Sequence, residues 1–166
     1  MKPKLIMIVL ILLLVSLIVN PVAAKKKMLL LDSQTIEPYK SLRKAMFAKL
    51  AELGYKRGEN LLVDYQVVGN YIGRGYNILK YKKDNNYDVI VLNGTFAGLS
   101  AVRFMKEEDK DPKDYHFVFG SITDPVGIGL IEQFNTPPTN NVTGVAFPVS
   151  VKERLNFIQE IFGENL

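Results

Sequence analysis

Three short clusters combine hydroxyls, amides, glycine and a carboxylate: Asp32-Ser33-Gln34-Thr35, Asn93-Gly94-Thr95 and Ser121-Ile122-Thr123-Asp124-Pro125. Each ends an apolar run. Such residues can serve nucleophilic catalysis when a base stands beside them, or recognition of a small polar molecule. Catalysis has little to build on. A serine nucleophile of the triad type needs a neighbouring histidine. The single histidine, His116, opens the apolar run that the 121–125 cluster closes, which puts it at the other end of a strand. There is no Gly-x-Ser-x-Gly elbow and no Gly-x-x-x-x-Gly-Lys-Ser/Thr loop. With no cysteine in the chain, thiolate nucleophiles, thiolate metal sites and disulfides are excluded. One histidine with scattered acids makes no metal cluster. The Gly73-Arg74-Gly75 pair follows no strand directly, so it is not a dinucleotide fingerprint. A phosphoacceptor receiver would need an acidic pair after the first strand and an aspartate after the third. Asp32 stands alone, and Asn93 fills the second place. Neither an enzyme nor a cofactor is expected.

Binding is easier to support. Thr95 follows Asn93-Gly94 where a strand gives way to a helix. It is a natural helix cap there, and the same geometry offers free backbone N–H groups to an anion. Gly94 permits close approach. Asp124 is fixed by Pro125; its carboxylate either holds an ammonium group or shapes the turn and caps the next helix. A cradle of hydroxyls and amides with one carboxylate suits an amino acid or similar small zwitterion. The expected ligand-binding residues are Ser33, Gln34, Asn93, Gly94, Thr95, Thr123 and Asp124.

These clusters need strands to present them. Residues 28–31 form a short apolar run. Residues 37–53 carry Leu42, Ala45, Met46, Leu50 and Leu53 at helical spacing, with Pro38 at the start and Gly54 past the end. Residues 61–67 alternate as a strand does. A helix over 71–83 is weakened by Gly73 and Gly75. Residues 88–92, "DVIVL", read as a buried strand, and 96–107 as a helix. The pattern then gives a strand at 116–119, a short helix at 128–134 and a strand at 142–147. Ser150 opens a last helix with a capping box to Glu153. Alternation of this kind predicts an α/β fold: a parallel five-stranded sheet with helices on both faces. Ligands on such sheets bind at the carboxyl ends of the strands, near the point where strand order reverses.

The first 24 residues have a different character. Lys2 and Lys4 precede an apolar run over 5–19, broken only by Ser16; Asn20-Pro21 and Val22-Ala23-Ala24 follow. This is the layout of a secretory signal with cleavage after Ala24. The run is shorter than the roughly 20 residues that span a bilayer; an uncleaved membrane anchor is the alternative. The expected division is a signal peptide at 1–24 and one α/β lobe at 25–166, in the periplasm or outside the cell. The formal charge of +4 becomes +4 − 2 = +2 once Lys2 and Lys4 are removed. The remaining basic residues gather on no aromatic-lined patch, so no nucleic-acid partner is expected.

Four blocks, "ELGYKRGENLLVDYQ", "DVIVLNGTFAG", "FGSITDPVGIGL" and "NNVTGVAFPVSVKERLNFIQEI", resemble in this order the ABC-transporter substrate-binding family that includes tryptophan- and tyrosine-binding proteins. The resemblance implies a periplasmic-binding-protein fold and delivery of an amino-acid-like ligand to an ABC permease in the membrane. It also implies that Ser33, Gln34, Asn93, Thr95 and the Thr123-Asp124 loop line the cleft. It matches the first of the family's two lobes. A truncated or split gene, a single lobe that dimerises, and a sensor or scavenger module are the arrangements this leaves open. A second lobe or a dimer partner would supply the other wall of the cleft. The alternative function is a secreted or anchored ligand-sensing module with no part in transport.

Overall fold

The computed structural model describes residues 25–134, 141–147 and 151–163. Its elements in order are β1 (Lys26–Asp32), α1 (Tyr39–Glu52), β2 (Leu61–Val67), α2 (Ile72–Lys82), β3 (Val89–Asn93), α3 (Thr95–Glu107), β4 (Phe117–Ile122), β5 (Val142–Ala146) and α4 (Val151–Phe162). The five strands pair in parallel in the order β2-β1-β3-β4-β5. The order reverses at β1: the chain moves outward to β2, then returns past β1 to β3. The crevice between β1 and β3 is therefore the switch point.

Strand periodicity divides the core in two. Leu29, Leu31, Ile90, Leu92, Phe117 and Phe119 pack on the side of Leu79 from α2 and of Ala97, Ala101 and Phe104 from α3. Met28, Leu30, Leu61 and Val91 face the other way, against Met46, Phe47 and Leu50 of α1. Apolar burial holds the first layer firmly, with five α3 residues buried, Phe104 among them. It holds α1 loosely, since no residue of α1 is fully buried.

Of the two glycines that weakened the expectation of α2, Gly75 has a packing reason. A Cβ on Gly75 would collide with Ser100 of α3, so the helices meet through small residues. Two expectations are corrected. The strand expected at 116–119 continues to Ile122, with a register shift at Ser121, where φ is 54°. Ser121 thus belongs to the sheet. The helix expected at 128–134 is a run of turns: Leu130 and Ile131 N–H both donate to the Pro125 carbonyl, and Gly129 has φ 75°. A left-handed glycine interrupts helical propagation there. The Ser150 cap and residues 1–24 lie outside the described residues.

Beyond α1, its side of the sheet carries Val118, 37% exposed, and Val145, 75% exposed; α4 exposes Leu155, Phe157, Ile161 and Phe162. No described helix is long and apolar enough to cross a membrane.

Candidate functional site

The carboxyl ends of β1, β2, β3 and β4 are tied by their backbones. Val68 N–H donates to Asp32 O, Gly69 and Asn70 N–H to Ser33 O, Ser33 N–H to Asn93 O, and Gly94 N–H to Gly120 O. Ser33, Asn93, Gly94 and Thr95 are thereby gathered at the switch point. Asp32, Ser33 and Asn93 are buried there, at 0%, 0% and 1% exposure.

The register explains which side each residue serves. Asp32 pairs with Asn93 and with Val67, so Asp32, Asn93 and Tyr65 share the α1 side of the sheet. On that side the Asp32 carboxylate meets the Arg43 guanidinium of α1. It also accepts from the Tyr65 hydroxyl at 3.0 Å and from Asn93 Nδ2 at 2.8 Å. Arg43 lies over the Tyr65 ring, 4.9 Å from its centroid. Asn93 uses its second amide hydrogen on the Tyr39 carbonyl, at 3.0 Å. Both hydrogens are then engaged, and Asn93 Oδ1 is buried without a partner among the described residues. Reversing the amide would face oxygens with oxygens, so the orientation is fixed by the network.

Ser33 lies on the opposite side. Its hydroxyl accepts from Ala97 N–H at 3.1 Å, capping α3 from a neighbouring strand. The first turn of α3 begins at Gly94, whose φ is 99°. Gly98 N–H already reaches Gly94 O. The N–H groups of Thr95 and Phe96 are left without an acceptor among the described residues. Together with the half-buried Thr95 side chain they can hold an anionic group at the positive end of the helix.

Gln34 is half-buried beside Ser33. Thr123 and Asp124 are exposed at the carboxyl end of β4. Asp124 Oδ1 accepts from Gly127 N–H at 2.7 Å, so the carboxylate shapes its own turn while staying open to solvent. No described hydrogen bond links Thr123 or Asp124 to the Ser33–Asn93 cluster. Asp32 stood in the first cluster without its role, and its neighbours Tyr39, Arg43 and Tyr65 went unrecognised in the sequence. The signal available was an acidic residue at a strand end with an aromatic at the matching parity of the next strand.

A concavity of about 600 Å³ opens at the amino ends of the strands, away from this cluster, and is lined by Met28, Leu61, Leu79, Tyr87, Tyr115 and His116. Lys26, Lys82 and Lys83 on its wall are paired with Asp88, Asp64 and Glu108. His116 thus lies at the far end of the sheet from the hydroxyl clusters. No group of three or more potential metal ligands occurs among the described residues.

Comparison with known proteins fits this geometry. The family model described as "ABC transporter substrate binding protein" matches residues 37–164. A tyrosine-binding protein of Clostridioides difficile (strain R20291) is 28% identical over 119 residues, covering 72% of this chain and 32% of that protein. Among solved structures, a conserved domain protein from Vibrio cholerae superposes with a TM-score of 0.73 at 25% identity, over 84% of this chain and 45% of that one. The ABC domain in complex with L-Trp from Streptococcus pneumonia gives 0.69 at 23% identity, over 82% and 43%. The chain thus spans about a third of the curated relative's length and under half of each of these structures.

Proposed function

The chain belongs to the ABC transporter substrate-binding protein family, and from that premise we propose that it forms one wall of a site for an amino acid or similar small zwitterion. The observation that carries this reading is the switch-point cluster. Four strand ends converge on Ser33, Asn93, Gly94 and Thr95, and two helix N–H groups stand open beside them. In this reading the N–H groups of Thr95 and Phe96 take the ligand carboxylate, and Asp124 draws its ammonium group. Relatives named for tyrosine binding, or solved with L-Trp, support an amino acid as the ligand class. The protein would act outside the cytoplasmic membrane, exported by its first 24 residues, and hand its ligand to an ABC permease.

Thermal-shift screening of the exported protein against the amino acids tests this. A ligand that binds only the folded state raises the melting temperature. The expected result is stabilisation by at least one amino acid, lost when Thr95→Pro removes one of the two N–H donors. No shift with any amino acid would reject the reading.

A further inference from the structure

The concavity of about 600 Å³ at the amino ends of the strands lies at the opposite edge of the sheet from the switch point. Its volume is that of pockets that hold small organic molecules. Both core layers contribute to its floor: Leu29, Leu79 and Phe104 from the α2–α3 side, and Met28, Leu50 and Leu61 from the α1 side. Tyr115 lines the same space. Its ring is held edge-on to Phe104, with centroids 5.5 Å apart, and tilted against Phe117 at 5.7 Å. Its hydroxyl takes part in no hydrogen bond with a described residue. Burial first, and then the carboxylates of Asp114, Asp84 and Glu108, hold the Tyr115 phenol above its ordinary 10, so the group stays a donor.

The ammonium groups around this space are already paired. Lys26 meets Asp88 at 2.7 Å, Lys82 meets Asp64 at 2.5 Å and Lys83 meets Glu108 at 3.5 Å. An anion would find no uncommitted ammonium group among the lining residues. The lining carboxylate outside these pairs, Asp114, is exposed, and an exposed ion pair contributes little. A charge carried onto the apolar floor would be desolvated without compensation. We propose that the amino-end concavity is a second binding site, for a small uncharged molecule that is mostly apolar and carries one oxygen for the Tyr115 hydroxyl to donate to. This site is independent of the switch-point cradle, since it lies at the opposite ends of the same strands.

The test is an NMR titration of the exported protein at neutral pH with three naphthalenes of similar shape: 2-naphthol, which is uncharged, 2-naphthoate, an anion, and 2-naphthylmethylammonium, a cation. Amide shifts locate the bound molecule. 2-Naphthol should move the amides of Tyr87, Tyr115 and His116 and leave those of Ser33 and Gly94 in place. Both ions should bind at least about tenfold more weakly, because each must lose water without gaining a partner. Tyr115→Phe keeps the ring and removes the hydroxyl. It should weaken 2-naphthol about fivefold, the scale of one neutral hydrogen bond. Shifts gathered at Gly94 and Thr95, shifts scattered over the surface, or no saturable shift would overturn the site. Ions that bind as tightly as 2-naphthol would overturn the uncharged class, and unchanged affinity in Tyr115→Phe would overturn the part given to its hydroxyl. The wild-type titrations decide the first two points without the variant.

Discussion

Asp32 holds a carboxylate where solvent does not reach, and three donors from three elements converge on it: Arg43 of α1, Tyr65 of β2 and Asn93 of β3. A buried charge stripped of its partner is expensive. Arg43→Met should lower unfolding free energy by about 3 kcal/mol, toward the lower end for a broken buried pair because Arg43 itself is partly exposed. Urea denaturation measures this, and a loss below about 0.5 kcal/mol would mean that Tyr65 and Asn93 satisfy the carboxylate unaided. Asp124 is a different case, since its carboxylate is exposed and already bonded to Gly127 N–H. Asp124→Asn keeps that bond and removes the charge. Stability should stay within about 0.5 kcal/mol. Affinity for a zwitterion should fall by roughly 1.5–3 kcal/mol, the worth of a hydrogen bond to a charged group. Unchanged affinity in calorimetry would leave Asp124 as a turn residue only.

At the scale of elements, α1 is the piece that polar contacts hold. Its first turn rests on Gly94 and Gly120, where a Cβ would meet Tyr39 and Leu42, and Gly94→Ala is doubly unfavourable. The backbone is left-handed there, at φ 99°, and the Tyr39 ring fills the space. Strain and overpacking together should cost about 2–4 kcal/mol, read from the denaturation midpoint. The α2–α3 seam is held by charge as well as by Gly75. Lys80 Nζ lies 2.7 Å from Glu108 Oε1 and Tyr76 Oη 2.8 Å from it; the Lys80 ammonium first and the Tyr76 hydroxyl second hold the Glu108 carboxyl down to about 2 from its ordinary 4.5. A carboxyl with a depressed pKa stabilises the fold above its unfolded value. That contribution is lost as pH falls from 4.5 through about 2. Glu108→Gln should therefore melt below wild type at pH 7. The gap in calorimetric Tm should narrow below pH 4.5 and close near pH 2. A gap of constant size across that range would assign the effect to packing instead.

On the scale of the molecule, β1 begins two residues after Ala24, and its first residues are already engaged. Lys26 Nζ and Lys27 N–H both bond the Asp88 carboxylate, each at 2.7 Å. Processing after Ala24 would leave this strand whole. Mass spectrometry of the exported protein should find Lys25 at its N-terminus; a start at Met1 in the membrane fraction would identify an anchor. At the other extreme of the sheet, Val118 and Val145 lie exposed on the side that α1 leaves uncovered. Apolar surface of this kind drives association when nothing covers it.

Local pattern was enough to read most of this fold. Leu61–Val67 alternates apart from Leu62, and Val89–Asn93 is an apolar run closed by polar residues. Both are signals that survive without neighbours, as are Pro38 and Gly54 at the two ends of α1. Alternation of strands and helices then implied the parallel sheet, and with it the end at which loops gather. What the sequence left undecided depends on contacts between distant residues. Ser33 could be recognised as a strand-end hydroxyl, but its engagement with Ala97 N–H exists only once β1 lies beside β3. Asn93 could be placed in the right loop. That its amide is used on Asp32 and Tyr39 follows from register and from where α1 comes to rest. The 128–134 segment has helical apolar spacing, yet a left-handed Gly129 and the Pro125 carbonyl turn it into a folded loop against α3. Sequence period reports which face of an element is apolar. Which polar atoms meet is a property of packing at ångström range, and that only the tertiary structure decides.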